Sequence, residues 1–78
     1  MKTTLPAKSI DNAPQFQFAV LSVRNGQQVA ELESSFDSEG LAANMFERQY
    51  SKWGLTDTNF YLVDWTAQRI IKAHEVWQ

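Results

Sequence analysis

The apolar positions of the first third of the chain alternate as in a β-hairpin. Residues 15–23 are rich in β-branched and aromatic side chains, and the run ends at Asn25-Gly26. Asn-Gly between two apolar runs is a strong hairpin signal, because both residues tolerate positive φ. Residues 28–36 are therefore predicted to form the return strand.

The register of this hairpin has two solutions. A two-residue loop pairs Leu21 with Ala30, and a three-residue loop pairs Val20 with Ala30. We favour the three-residue loop, because it collects the apolar side chains of both strands on one face. In that register Glu31 and Glu33 face outward.

A helix is predicted over residues 38–53. Apolar side chains recur there at intervals of three and four, from Leu41 to Trp53, which gives one apolar stripe. Asp37 is the predicted N-cap. Gly54 follows the last apolar position and is predicted to end the helix.

Two apolar runs near the C-terminus are separated by four residues, which is typical of a β-hairpin. We predict strands over residues 60–64 and 69–76. This pairing sets Asp64 opposite Arg69 as a cross-strand ion pair. A surface pair of this kind adds less than about 1 kcal/mol, so it serves the register more than the stability.

These elements predict an α+β fold. The order ββαββ gives a two-layer domain, with a four-stranded antiparallel sheet and one helix on one face. Residues 15–78 form this single domain, and residues 1–14, which contain both prolines, are predicted to be an N-terminal arm. The predicted core consists of Phe16, Phe18, Val20, Leu32, Leu41, Met45, Phe46, Tyr50, Phe60, Leu62 and Ile71.

The alternation leaves a second apolar set on the other face of the sheet. One helix covers only one face, so this set predicts an exposed patch that binds a partner or a second copy of the chain. The alternative is that the arm covers the patch through Leu5 and Ile10. The second set consists of Leu21, Val23, Val29, Tyr61, Val63, Ile70 and Val76.

Composition argues against several functional classes. The 78 residues include no cysteine and one histidine, His74, so a Cys-ligated zinc module is excluded. The chain has no nucleophile motif and no phosphate-binding loop, and Glu31 and Glu33 are expected to face solvent. We therefore predict no catalytic, cofactor-binding or metal-ligating residues, and we expect a non-enzymatic protein. Because no apolar run approaches the ~20 residues that cross a bilayer, we expect no membrane association and a cytoplasmic location.

Charge is distributed unevenly along the chain. Its net charge is -2, yet the segment from Glu31 to Glu47 holds five acidic residues and no lysine or arginine. An acidic patch attracts a basic surface, including the nucleic-acid groove of another protein. Tyr and Trp side chains dominate binding hot spots. The predicted partner-binding residues are Glu31, Glu33, Glu39, Glu47, Tyr61 and Trp65.

Two other functions are compatible with the pattern. A small nucleic-acid-binding domain would use Arg69 and Lys72 with the sheet aromatics, although the negative net charge makes this function less favoured. A homodimer would pair its uncovered sheet faces and have a structural or regulatory role.

The layout of the chain also carries a resemblance. A hairpin FQFAVLSVRNGQQV, a helix FDSEGLAANMFERQYSKWG and a closing hairpin FYLVDWTAQRII make up a short lone domain. In size and layout it resembles small inhibitor proteins of phages and other mobile elements, including the anti-CRISPR class. The resemblance implies a stoichiometric inhibitor that blocks a larger nucleoprotein complex without chemistry, and it assigns no residue roles.

Overall fold

The structure, a computed structural model, describes residues 13–53 and 56–77. Its four strands form one antiparallel sheet, which confirms the predicted α+β fold with the order ββαββ. Most of the predicted arm over residues 1–14 lies outside the described residues, as does Gly54. The elements are β1 (Phe18–Arg24), β2 (Glu31–Phe36), α1 (Glu39–Trp53), β3 (Thr58–Asp64) and β4 (Arg69–His74).

The sheet has the spatial order β2-β1-β3-β4, so β1 and β3 are its central strands. Both are apolar along most of their length, because side chains that point to either face are buried. The helix α1 packs across β1, β2 and β3 on one face, which we call the helix face. Val20 and Leu62 pair there with no exposed surface, beneath Ala42 and Phe46 of α1.

The N-cap of α1 is Ser38, the residue before Glu39, and not the predicted Asp37. The Ser38 hydroxyl accepts a hydrogen bond from the Leu41 amide at 3.4 Å, and its carbonyl accepts one from the Ala42 amide at 3.1 Å. Ser38 therefore satisfies a free amide at the helix start. Leu41 is 54 % exposed and Ala42 is buried, so the prediction of Leu41 as a core residue is wrong.

The loop between β1 and β2 is longer than either predicted register allows. Asn25-Gly26 does form a turn, in which the Gln27 amide bonds to the Arg24 carbonyl at 2.8 Å and Gly26 adopts a φ of +93°. The strands pair only beyond it, with Leu21 opposite Leu32, so both predicted registers are wrong. The extra loop residues bring Ala30, which is fully buried, onto the side of the sheet opposite the helix face. We call this side the second face.

A bulge in β2 determines which face its side chains reach. Leu21 lies opposite Leu32, but Val20 lies opposite Ser34, so Glu33 is an additional residue in the strand. Leu32 packs on the second face of the sheet and not in the predicted core beneath the helix. The bulge also sets Phe36 opposite Phe18, and both side chains pack on the helix-face cluster.

A second bulge lies in the other edge strand, β4. Asp64 lies opposite Arg69, as predicted, but Leu62 lies opposite Lys72, so Ile71 is an additional residue. The unbulged prediction, in which Leu62 faces Ile71, is wrong. The bulge brings His74 to the helix face, where its ring stacks on the Tyr50 ring of α1 with the centroids 4.1 Å apart.

Asp64 is held by groups other than the predicted ionic partner, Arg69. Its carboxylate accepts hydrogen bonds from the Gln17 side-chain amide at 3.3 Å and from the Ala67 backbone amide at 3.1 Å. Within the described ranges the salt bridge is Arg24–Asp57. Phe16, which precedes β1, is 43 % exposed, so its predicted place in the core is also wrong.

The second face of the sheet is covered more fully than the sequence predicts. Leu21 and Val63 have no exposed surface, and Val23 and Tyr61 are buried. The predicted exposed patch is therefore wrong at these four positions. The alternative, coverage by Leu5 and Ile10, falls outside the described residues. Four half-buried side chains pack against this cluster: Leu32, Trp65, Ile70 and Trp77.

The buried side chain of Asn59 forms hydrogen bonds with the C-terminal segment that holds Val76 and Trp77, next to the second face. The side-chain oxygen Oδ1 of Asn59 accepts hydrogen bonds from the Val76 backbone amide at 2.6 Å and the Trp77 backbone amide at 3.1 Å. Its amide group donates to the Trp77 carbonyl at 3.0 Å. The Trp77 indole N–H then donates to the Val23 carbonyl at 3.0 Å. The segment after β4 is thus bonded to both central strands.

The buried Tyr61 hydroxyl belongs to the same network. It donates to Glu75 at 2.7 Å and accepts from the Asn59 amide at 3.2 Å. The pKa of Tyr61 is raised from 10.0 to about 12, mainly by burial and also by the hydrogen bond to Glu75, against the lowering effect of the bond from Asn59.

This shift makes the stability of the fold depend on pH above 10. The folded protein keeps the Tyr61 proton up to a pKa of about 12, whereas the unfolded chain loses it near 10.0. The contribution is therefore present below pH 10 and is lost as the pH rises to about 12, by about 2–3 kcal/mol. Urea unfolding across this range measures the loss.

The matched control is Tyr61→Phe, which removes the titrating hydroxyl and keeps the ring. We expect the variant to lose less stability than the parent between pH 10 and 12. Equal losses in the two proteins would show that Tyr61 titrates in the folded state as it does in the unfolded chain.

Candidate functional site

An open cavity of about 620 Å³ lies on the helix face, beside the β1–β2 loop. Its floor contains Ser22, Thr58 and Phe60, each at most 5 % exposed. The second half of α1 supplies one wall through Gln49, and β2 supplies another. The lining residues are Ser22, Arg24, Asn25, Gly26, Gln27, Glu31, Glu33, Gln49, Thr58 and Phe60.

The cavity exists because polar residues interrupt the core on both central strands. Along β1 the helix-face positions are Phe18, Val20 and Ser22, and Ser22 pairs with Phe60. The next pair on this face joins Arg24 to Thr58. On β1 the apolar packing thus ends beyond Val20, and on β3 it ends beyond Phe60, where hydroxyl groups replace the apolar side chains that would continue it.

Glu33 is the most firmly held acidic side chain of the cavity. One carboxylate oxygen accepts the Ser22 hydroxyl at 2.6 Å, and the other accepts the Gln49 side-chain amide at 3.0 Å. Hydrogen bonds to an ionised carboxylate are shorter and stronger than neutral ones. The two bonds join β1, β2 and α1, and they set the orientation of the carboxylate at the cavity wall.

Glu31 is held by the preceding loop. Its carboxylate accepts a hydrogen bond from the Gln27 side-chain amide at 3.3 Å. The side-chain oxygen Oε1 of Gln27 in turn accepts a hydrogen bond from the Arg24 backbone amide at 2.8 Å. Gln27 therefore connects the Asn25-Gly26 turn to the acidic wall. Both Glu31 and Glu33 remain exposed, so water or a ligand reaches their carboxylates.

Arg24, the positively charged residue in the cavity lining, pairs with Asp57 and not with Glu31 or Glu33. The Arg24 Nε lies 3.8 Å from an Asp57 carboxylate oxygen, and the two side chains are 69 % and 55 % exposed. Among the residues that the structure describes, neither Glu31 nor Glu33 forms a salt bridge. The wall formed by β2 therefore presents negative charge toward the opening.

The structure separates the predicted partner-binding residues into two groups. Glu31 and Glu33 lie together at the cavity, with their side chains on the helix face and not on the outward face predicted. Glu39 and Glu47 are exposed on α1, outside the cavity lining.

The two predicted aromatic contacts belong to the opposite side of the sheet. Tyr61 is only 5 % exposed and is part of the core, so it offers no surface to a partner. Trp65 is half-buried against the second-face cluster. The acidic pair Glu31 and Glu33 and the two predicted aromatic residues therefore lie on opposite faces of the sheet.

Sequence reasoning missed three polar partners of the acidic wall: Ser22, Gln27 and Gln49. The available signal was Ser22, a small polar residue inside the apolar run of β1. The sequence alone did not show which residue Ser22 contacts, because only the bulged pairing of β1 with β2 puts Ser22 beside Glu33.

The same positions bear on the two alternative functions. The nucleic-acid hypothesis combined Arg69 and Lys72, which are exposed on β4, with sheet aromatics, and Tyr61 is not accessible for stacking on a base. The dimer hypothesis used an uncovered second face, where Leu21 and Val63 are already buried within one chain.

The described residues contain no cluster of three or more side chains suited to hold a metal ion. Their helix is too short and too polar to cross a bilayer. No protein-family model, curated protein or solved structure matches the chain.

Proposed function

We propose that the protein is a non-enzymatic protein-binding module, of the type of a phage stoichiometric inhibitor, that occupies a basic surface of a larger nucleoprotein complex. Glu31 and Glu33 form the centre of the binding surface, and the exposed acids Glu39 and Glu47 extend its negative field. The resemblance to small mobile-element inhibitors in size and layout motivates the choice of target.

The observation that carries the proposal is the acidic wall of the cavity. Two carboxylates stand two residues apart on β2, open to solvent, and the described residues supply them with hydrogen bonds but with no cation. A basic protein surface is the complementary partner. Such a surface binds nucleic-acid phosphates in a nucleoprotein complex, and carboxylates that occupy it compete with those phosphates.

The charge-reversed double variant Glu31→Lys with Glu33→Lys tests this proposal. The immobilised wild-type chain is incubated with extract of the cells that naturally contain the protein, and the retained proteins are identified by mass spectrometry. We expect the double variant to bind the purified partner at least about tenfold more weakly, with a flatter salt dependence, because two attractive charges become repulsive.

Two further variants separate charge from folding. Glu31→Gln with Glu33→Gln keeps the hydrogen-bond acceptors and removes the charge, so its binding should also weaken. Asp37→Lys changes the charge at an exposed position outside the cavity, and its binding should stay within about threefold of wild type. Unchanged binding by the charge-reversed double variant would refute the electrostatic proposal. A gel shift of free nucleic acid at low salt would support the rival function.

A further inference from the structure

We infer that the cavity receives the guanidinium group of one arginine side chain from the partner. This inference rests on the proposed function, since it names the group that the partner presents at the same site. The ligand chemistry follows from the floor, the wall and the rim of the cavity.

The floor of the cavity combines two buried hydroxyl side chains with the ring of Phe60. Ser22 and Thr58 occupy helix-face positions on the two central strands, where the next residues on the same face, Val20 and Phe60, are buried. Both hydroxyl residues are themselves only 5 % exposed. They lie on the floor of the open cavity, whose volume of about 620 Å³ is within the range of ligand sites. A cavity of this size with polar and apolar lining favours an occupant that carries both hydrogen-bond donors and apolar groups.

The wall of the cavity presents acceptors in a fixed arrangement. Glu33 is held from two elements by Ser22 and Gln49, and Glu31 is held by Gln27. A planar guanidinium carries five N–H donors and bridges carboxylates by paired hydrogen bonds, whereas an ammonium group acts as a compact point charge. The guanidinium is also less strongly hydrated, so it leaves water at lower cost.

On the rim of the cavity, Arg24 forms its salt bridge with Asp57 and not with the acidic wall. Arg24 is the arginine that lines the cavity, and its side chain pairs with Asp57 at 3.8 Å. The Glu31 and Glu33 carboxylates are therefore available to an arginine from outside. The methylene groups of that side chain would pack near Phe60 on the floor.

Titration with small probes, followed by nuclear magnetic resonance, tests the inference directly. The probes are Nα-acetyl-arginine amide, its lysine analogue and its citrulline analogue, which is a neutral isostere of arginine. We expect the arginine probe to cause saturable shifts of the Gln27 and Gln49 side-chain amides and of the Glu31 and Glu33 backbone amides, with millimolar affinity. The lysine probe should bind several-fold more weakly, and the citrulline probe should not saturate.

Single variants identify the acceptors. Glu33→Gln or Glu31→Gln should weaken the arginine probe about tenfold, as expected for loss of one charge-assisted pair. Asp37→Asn has the same change in net charge outside the cavity and should leave the affinity unchanged. Thermal unfolding of each variant confirms that the fold is retained.

The outcomes distinguish this inference from the proposed function. Shifts that fail to saturate, or that appear equally with citrulline, overturn the arginine site even if the charge-reversed double variant loses its partner. Saturable arginine binding that depends on Glu33, together with undiminished partner binding by the double variant, supports the site and refutes the proposed function.

Discussion

Replacing Leu62 by alanine is expected to lower the free energy of unfolding by about 2–5 kcal/mol. Leu62 lies on the central strand β3 with no exposed surface, opposite Val20 and in the cluster that includes Phe46 of the helix. Truncation removes buried methyl groups and leaves a cavity, because a sheet buried on both faces has little freedom to collapse into the space. A domain of this size has stability near the lower end of the usual 5–15 kcal/mol, so the loss approaches the total.

Urea and thermal unfolding measure this loss. At about 4–8 °C per kcal/mol for a small domain, the midpoint should fall by at least about 8 °C. Leu41→Ala is the matched control, because Leu41 is 54 % exposed on the outer side of α1 and should change stability by no more than about 0.5 kcal/mol. Equal losses in the two variants would show that the helix presents its other side to the sheet.

Replacing Asn59 by alanine is expected to have the second largest effect, about 2–4 kcal/mol. The side chain makes four hydrogen bonds at 3 % exposure, three of them with the backbone of Val76 and Trp77. Each bond contributes about 0.5–1.5 kcal/mol, and an unsatisfied partner costs more. The backbone of the C-terminal segment would regain water only by leaving the sheet.

The position of Trp77 separates this explanation from a general loss of packing. Its indole N–H signal should move toward that of an exposed tryptophan in Asn59→Ala, because the bond to the Val23 carbonyl depends on the same segment. Asn44→Ala is the control, since Asn44 is exposed on α1 and alanine has the higher helix propensity. A stable Asn59→Ala variant with an unmoved indole signal would contradict the role assigned to Asn59.

Local patterns were sufficient for the element types and their order. The apolar runs of β1 and β3, the turn at Asn25-Gly26 and the four-residue connection before Arg69 each depend on neighbouring residues, and the structure confirms them. The spatial order of the strands and both bulges were outside the reach of such patterns. The strand order and the bulges depend on which side chains from distant segments pack together on one face of the sheet.

The candidate site shows the same division. The acidic character of the segment that starts at Glu31 is visible in the sequence, and the structure places Glu31 and Glu33 in the cavity lining. Tyr61 failed as a surface contact, because alternation alone does not show what lies above the second face. The partners Ser22, Gln27 and Gln49 came from three separate elements.

The sequence by itself determined an α+β domain with two hairpins, one helix and an acidic middle segment, because hydrophobic period, turn residues and charge are local properties. Only the tertiary structure decided that Glu31 and Glu33 face the helix and not the outer side. The loop that buries Ala30 and the bulge at Glu33 set the direction of every side chain in β2. A shift of one residue exchanges the two faces of a strand, so the free energy of packing the whole sheet selects the register.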